Sequence, residues 1–338
     1  MATPASRLGF LKAASDGIAD LVEQTGRRVV AVHARRRFPS SGIHWSEGVV
    51  VTAAHTVIRD TGVTVVLPDG RPVSATLIGR DSGTDIAALR VTPAAAPANV
   101  PSSQDAIGPL SAVDAVGVGD AALSLDAADA KGIRPGHLAF AVARYGGAHT
   151  VLDYGLVATA GPAWRTWRGA EIDVFIRLDG ALRPGFSGAA VVDAEGRLIG
   201  MGTSGLARGA GIVIPVSTID RVVAQLVAHG RVARGYLGLA LQPVELPDRV
   251  AEDLKLDGAR GLLIAAVEKG GPGESAGLSV GDILISLDGR PCARAEDALV
   301  ALGSMVAGKT VVVGAIRGGK PVEVTLTLGE RPQRRRCA

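Results

Sequence analysis

The chain has little of what several protein classes depend on. Only two cysteines, Cys292 and Cys337, stand among 338 residues. They are too few for a disulfide framework and lack the spacing of a metal site, so two free thiols are expected. No stretch reaches about 18 consecutive apolar residues, and no membrane-spanning helix is expected. There is no glycine-rich phosphate loop and no cluster of metal ligands, so neither cofactor nor metal is expected. The net charge is only +3, and Arg35-Arg36-Arg37 and Arg334-Arg335-Arg336 hold six of the basic residues. Without those two runs the body is near neutral, which argues against a nucleic-acid surface. The N-terminus, Met1 to Arg7, runs into Lys12, Asp16, Asp20 and Glu23. These charges interrupt any hydrophobic signal region, so the sequence as given reads as cytoplasmic. The bacterial periplasm or cell envelope is the alternative if the N-terminus is incomplete.

Hydrophobic residues make up 47% and charged residues 20%, a composition that folds. The length suggests about two domains. Residues 11–25 read as an amphipathic helix carrying Leu11, Ile18, Leu21 and Val22. Short β-branched runs then recur between turn residues: Val29–Val32, Gly48–Thr52, Thr64–Leu67, Asp173–Ile176, Ala190–Val192 and Gly211–Ile214. Pro68-Asp69-Gly70 and Ala194-Glu195-Gly196 read as turns. Many short strands with regular turns indicate a sandwich or barrel. Thr92–Gln104 reads as a long surface connection. Ser217–His229 reads as a helix capped by Ser217 or Thr218 and stopped by Gly230. A second strand-rich unit follows, with helices near Pro247–Lys255 and Ala295–Leu302. The expected domains are 28–230 and 236–331, joined by a linker at 231–235. An N-terminal helical segment (1–27) precedes them, and a basic tail (332–338) follows that is expected to be disordered.

Three segments carry chemistry. Thr52-Ala53-Ala54-His55 delivers a His from a strand end, Thr84-Asp85 places an Asp before an apolar strand, and Gly185-Phe186-Ser187-Gly188 puts a Ser in a glycine-flanked turn. A serine hydroxyl needs a base to become a nucleophile, and neutral His suits that task near neutrality. A carboxylate fixes the His tautomer and stabilises the imidazolium. The carbonyl oxygen under attack becomes negative and needs N–H donors, which Gly185 and Ser187 can supply. The order His, Asp, Ser in an all-β domain excludes an α/β-hydrolase, where His follows Ser.

These segments resemble HtrA/Deg-type serine endopeptidases. Thr52–His55, Thr84–Leu89, Leu178–Ala189 and Gly211–Pro215 resemble four characteristic stretches of that family. The resemblance covers about residues 28–331. It implies an all-β-dominated fold, a chymotrypsin-like double β-barrel followed by an α+β PDZ domain with five or six strands. It implies His55 as general base, Asp85 as its orienting partner and Ser187 as nucleophile, with Gly185 and Ser187 forming the oxyanion hole. Residues around Gly202–Leu206 and Ala181–Leu182 would line the primary pocket, which favours cleavage after small or aliphatic residues. The chain departs from the family pattern at Phe186, where Asn is usual, and at Ala189-Ala190, where Gly-Pro is usual. The stretch Leu123–Asp129 also lacks the usual glycine-rich loop. Arg234–Leu239 resembles the loop that opens the PDZ domain, so Tyr236, Leu237, Gly238 and Leu239 would receive a peptide carboxylate. Tyr236 is the only aromatic residue after Phe186. Ser275–Leu284 resembles a second PDZ signature, read as structural: turns at Gly277 and Gly281, core at Leu278, Ile283 and Leu284. The implied partners are unfolded proteins or peptides, peptide C-termini at the PDZ domain, and two further copies of the chain in a homotrimer. A peptide-binding scaffold or chaperone with weak catalysis is the alternative.

Overall fold

The computed structural model describes residues 4–35, 38–92, 126–144, 147, 149–232, 235–253, 259–303, 305 and 307–330. Helix α1 (Pro4–Gly26) leads into strands β1 (Val29–His33), β2 (Ser40–Ser46), β3 (Val49–Ala53), β4 (Val63–Val66), β5 (Pro72–Asp81) and β6 (Ile86–Thr92). These close into an antiparallel barrel in the order β1-β2-β3-β6-β5-β4. Valine and alanine dominate its interior, where β-branched side chains pack well against a pleated wall.

Strands β7 (Leu138–Arg144) and β8 (Thr150–Gly161) begin a second barrel. A small ribbon follows, β9 (Trp164–Arg165) with β10 (Glu171–Ile172). Then come β11 (Phe175–Leu178), β12 (Ala190–Val192), β13 (Leu198–Thr203) and β14 (Ile212–Pro215), and the barrel closes as β11-β14-β13-β12-β7-β8. Helix α2 (Val216–His229) leaves this barrel and packs back on β5 and β6 of the first. Its Ile219, Val222 and Leu226 are fully buried in one cluster with Val29 and Ile43 of one barrel and Ile212 and Ile214 of the other. Gly79 lies so close to Gly230 that any side chain there would strike the Gly230 carbonyl.

The second strand-rich unit holds β15 (Gly235–Tyr236), β16 (Leu239–Glu245), α3 (Asp248–Asp253), β17 (Arg260–Val267), α4 (Pro272–Ser275), β18 (Ile283–Leu287), β19 (Arg290–Pro291), α5 (Ala295–Gly303), β20 (Thr310–Arg317), β21 (Lys320–Thr327) and β22 (Gly329–Glu330). Its main sheet runs β16-β17-β18-β20-β21 with β19 on β18, and β15 pairs β22. Gly277 and Gly281 take positive φ in turns, and Leu278 and Leu284 are buried. Ile283, expected in the core, is half-buried at the strand start. By contact density the chain divides into 1–166 with 171–232, and 233–338 with 167–170.

Two local expectations are corrected. Helix α2 begins at Val216 with Pro215 at its N-cap and no side-chain cap. The Thr218 hydroxyl is already taken by the Asp173 N–H. Helix α1 is longer than its apolar stripe suggested and buries only its end. Leu21 packs against the core, while Phe10 and Leu11 are exposed. Residues 93–125, which include most of the expected connection and part of Leu123–Asp129, lie outside the described residues, as do Cys337 and the tail. Cys292 is free and buried, and burial pushes its thiol up to about 11.

Candidate active site

Strand β3 ends at Ala53, and a single 3-10 turn (Ala54–Thr56) carries His55. Thr56 Oγ1 donates to the Ala53 carbonyl and pairs with Ser40 Oγ, which fixes that turn. Asp85 comes from a tight turn before β6. The buried Asp81 carboxylate accepts the N–H groups of Gly83 and Thr84 and the Thr84 hydroxyl. That turn leaves Asp85 at φ +61, a left-handed conformation in which Asp is tolerated better than most residues. The two groups then interlock. The His55 backbone N–H donates to Asp85 Oδ1 at 2.8 Å, and the imidazole Nδ1 lies 2.8 Å from Oδ2. A carboxylate can only accept, so the proton sits on Nδ1 and Nε2 keeps its basic lone pair.

Thr203, fully buried at the end of β13, donates its hydroxyl to Asp85 Oδ2 at 2.5 Å. Its neighbour Ser204 reaches Ser187: the two hydroxyls are 3.0 Å apart, and the Ser204 N–H donates to Ser187 Oγ at 3.3 Å. A side chain on the next residue, Gly205, would collide with Asp85 Oδ2 and His55 Nδ1. Three consecutive residues therefore touch all three expected groups. Among the described residues, Ser187 Oγ bonds Ser204 and not His55.

The Ser187 turn has its own accounting. The Phe186 N–H donates to Arg183, the Gly188 N–H to Gly202 and the Ala189 N–H to Phe186. The N–H groups of Gly185 and Ser187 donate to no acceptor among the described residues. Gly185 holds φ +93, which only glycine adopts readily. Phe186 is absorbed by the second barrel: its ring is fully buried there, with the Arg183 guanidinium over it. Ala190 simply begins β12. Phe186, Ala189 and Ala190 are all fully buried. Leu182 lies beside Gly202, next to the Phe186 carbonyl.

The loop of the second unit is also arranged around free donors. The Leu237 carbonyl accepts from Gly273, and the Gly238 carbonyl from Glu268. The N–H groups of Leu237 and Gly238 donate to no acceptor among the described residues. Tyr236 closes β15 against Gly329, and Leu239 opens β16, an edge strand. Sequence reasoning did not single out Thr203, Ser204 or Ser41 as site residues. The only signal for the first two was the Gly-Thr-Ser-Gly run inside the expected pocket lining.

Among the described residues no group of three or more His, Cys, Asp or Glu could hold a metal ion, and no helix is long and apolar enough to cross a membrane. Residues 40–201 match a trypsin-like peptidase domain and residues 235–328 a PDZ domain. The first interval contains His55, Asp85 and Ser187. The chain is 30% identical over 293 residues to the periplasmic serine endoprotease DegP of Escherichia coli (strain K12), covering 85% of this chain and 56% of that one. It is also 30% identical over 304 residues to a probable periplasmic serine endoprotease DegP-like of Rhizobium meliloti (strain 1021), covering 88% and 54%. The chain thus spans about half the length of these relatives. Among solved structures it is similar to the HtrA-type protease AlgW with tripeptide, at 27% identity and TM-score 0.64, covering 93% of this chain and 97% of that one. The serine endoprotease from Yersinia pestis has the same fold, at 24% identity and TM-score 0.64, covering 93% and 98%.

Proposed function

The chain is of the HtrA/Deg type, a trypsin-like peptidase domain followed by a PDZ domain, and on that premise we propose that it is a serine endopeptidase acting on unfolded or misfolded proteins. The observation that carries this reading is the hydrogen-bonded line from Thr203 through Asp85 to His55, with Ser204 joining Ser187 to the same segment and the N–H groups of Gly185 and Ser187 donating to no acceptor among the described residues. Ser187 Oγ leaves Ser204, gives its proton to His55 Nε2 and attacks the substrate carbonyl. The N–H groups of Gly185 and Ser187 receive the developing oxyanion. His55 then protonates the departing amine, and water repeats the sequence on the acyl-enzyme. Asp85 holds the imidazole and stabilises its charged form, and Thr203 fixes Asp85.

The segments that by resemblance line the primary pocket, Gly202–Leu206 and Ala181–Leu182, carry no acid for a basic side chain, which supports cleavage after small or aliphatic residues. In the PDZ domain, the Leu237 and Gly238 N–H groups take a C-terminal carboxylate while the peptide adds a strand beside β16. Phe10 and Leu11, exposed on α1, give the N-terminal segment an apolar face suited to contacts between copies in a homotrimer. The periplasmic location of the named relatives supports the cell envelope over the cytoplasm.

The test is degradation of an unfolded model protein by wild type and Ser187→Ala. Wild type should cleave, with fragments ending in small or aliphatic residues, and the variant should lose several orders of magnitude in rate. Equal rates would overturn the assignment of Ser187.

A further inference from the structure

Ser41 is fully buried in β2, on the barrel that supplies His55, yet its N–H and its hydroxyl reach the turn that supplies Ser187. Its N–H donates to the carbonyls of both Gly185 (3.1 Å) and Ser187 (3.2 Å). Its hydroxyl has one proton to give. The nearer acceptor is the Gly185 carbonyl at 2.9 Å, with the Arg144 carbonyl at 3.3 Å. The same hydroxyl accepts the Arg144 N–H at 3.0 Å. Thr52 Oγ1 holds the Ser41 carbonyl from the other side at 2.6 Å, and a side chain at Gly188 would collide with that carbonyl.

Arg144 is itself immobilised. Its guanidinium is buried, donating to the carbonyls of Val29 (2.7 Å) and Gly26 (3.0 Å) and to Thr150 Oγ1 (2.9 Å). Gly26 ends α1, where unpaired carbonyls favour a cation. A rigid scaffold therefore orients the Ser41 hydroxyl from behind. In front of it, the Gly185 carbonyl is pulled inward on one side of a residue at φ +93, whose own N–H is left free.

We propose that Ser41 is a positioning residue for the oxyanion turn. Its N–H ties the Gly185 and Ser187 carbonyls together, and its hydroxyl orients the Gly185 carbonyl so that the N–H groups of Gly185 and Ser187 stay aimed where negative charge develops. The proposal rests on the reading of Ser187 as nucleophile. It assigns the orientation of the turn to a residue on the opposite barrel, 144 positions away in sequence.

The test is Ser41→Ala, assayed on a peptide ester or amide and by inhibition with a peptide boronic acid, whose tetrahedral adduct on Ser187 occupies the oxyanion site. Loss of a buried charge-orienting hydrogen bond should lower kcat about tenfold with KM unchanged. The boronate inhibition constant should rise by the same factor, and C-terminal peptide affinity should not change. A merely structural role would lower the melting temperature without that parallel. Wild-type kcat in Ser41→Ala, or a loss confined to KM, would overturn the proposal. If Ser41→Ala does not fold, Ser41→Cys keeps the volume with a weak donor. It should show the same parallel loss, and wild-type kcat there would overturn the proposal too. A wild type as inactive as Ser187→Ala would refute the peptidase reading itself, and the proposal with it.

Discussion

The molecule contains two turns built on the same plan. At Gly185–Ser187 and at Leu237–Gly238, carbonyls are tied to neighbouring strands or loops, and two N–H groups are left without an acceptor among the described residues. Each turn depends on a glycine at positive φ, +93 at Gly185 and +70 at Gly238. The difference lies in what stands beside them. The first turn carries a serine hydroxyl bonded to Ser204, whose neighbours Thr203 and Gly205 meet the His55–Asp85 pair, and its Gly185 carbonyl is gripped by a side chain, Ser41, as well as by backbone. Among the described residues the second has neither a nucleophile nor a side-chain clamp. Its carbonyls are held by the N–H groups of Glu268 and Gly273. A pair of free amides attracts any oxygen-centred negative charge. The surrounding side chains decide whether that charge is transient, on a reacting carbonyl, or permanent, on a peptide terminus.

The sharpest way to separate the turns is at the first one's partner. Asp85→Asn should lower kcat by about 10⁴-fold by disturbing the His55 tautomer, while the affinity of a C-terminal peptide, read by fluorescence anisotropy, stays unchanged. The glycines come next. Gly185→Ala should cost about a hundred- to a thousandfold in kcat by tilting an oxyanion donor. Gly238→Ala should leave cleavage of a short peptide unchanged and weaken peptide binding about tenfold, the cost of an alanine held at positive φ. Reciprocal effects of the two glycine variants would break the comparison. Ser204→Ala should raise the rate of Ser187 labelling by a fluorophosphonate about twofold to tenfold, because it removes the hydroxyl partner of the nucleophile and leaves only the longer Ser204 N–H contact. An unchanged rate would mean that this bond does not compete with His55.

Acid should part the turns by the domains that bear them, with the smallest effect. Burial, reinforced by Arg59 and Arg28, holds His33 and His44 below their ordinary value of 6.5. The unfolded chain binds protons that the folded barrel refuses, so this stability is full above pH 6.5 and declines as pH falls below it. Asp282, hydrogen-bonded to Arg317, is held below its ordinary 3.8. Its contribution persists until pH falls through about 3.8 and towards the lowered folded value. Calorimetry from pH 7 to pH 4.5 should show the peptidase transition moving down while the PDZ transition stays in place.

Much of this was legible in local sequence. The strands at Val29, Val49 and Ile212 follow from β-branched runs and the glycine stop of α2 from Gly230, while the order and turn chemistry of His55, Asp85 and Ser187 mark them as the candidates. Ser41 and Thr203 were not legible, because their significance is a contact with a residue far along the chain. Thr203 meets Asp85 across 118 positions, and no local pattern marks a serine or threonine for such a bond. The start of α2 was misread for a related reason. Thr218 is a good cap by type, but a distant N–H, that of Asp173, had already claimed its hydroxyl. The apolar stripe of α1 gave a helix correctly without saying how much of it a single chain would cover.

Helix α2 has a consequence of another kind. It leaves the second barrel and seats its end against the first, with Gly230 on Gly79, Trp45 donating to Asp220 at 2.9 Å, and its apolar face shared by both barrels. Covalent continuity between β6 and β7 is therefore not what keeps the halves of the cleft together. A polypeptide nicked between them should persist as a noncovalent pair. The two parts of a chain cleaved within residues 93–125, separated and mixed again, should find each other and rebuild the cleft by complementation.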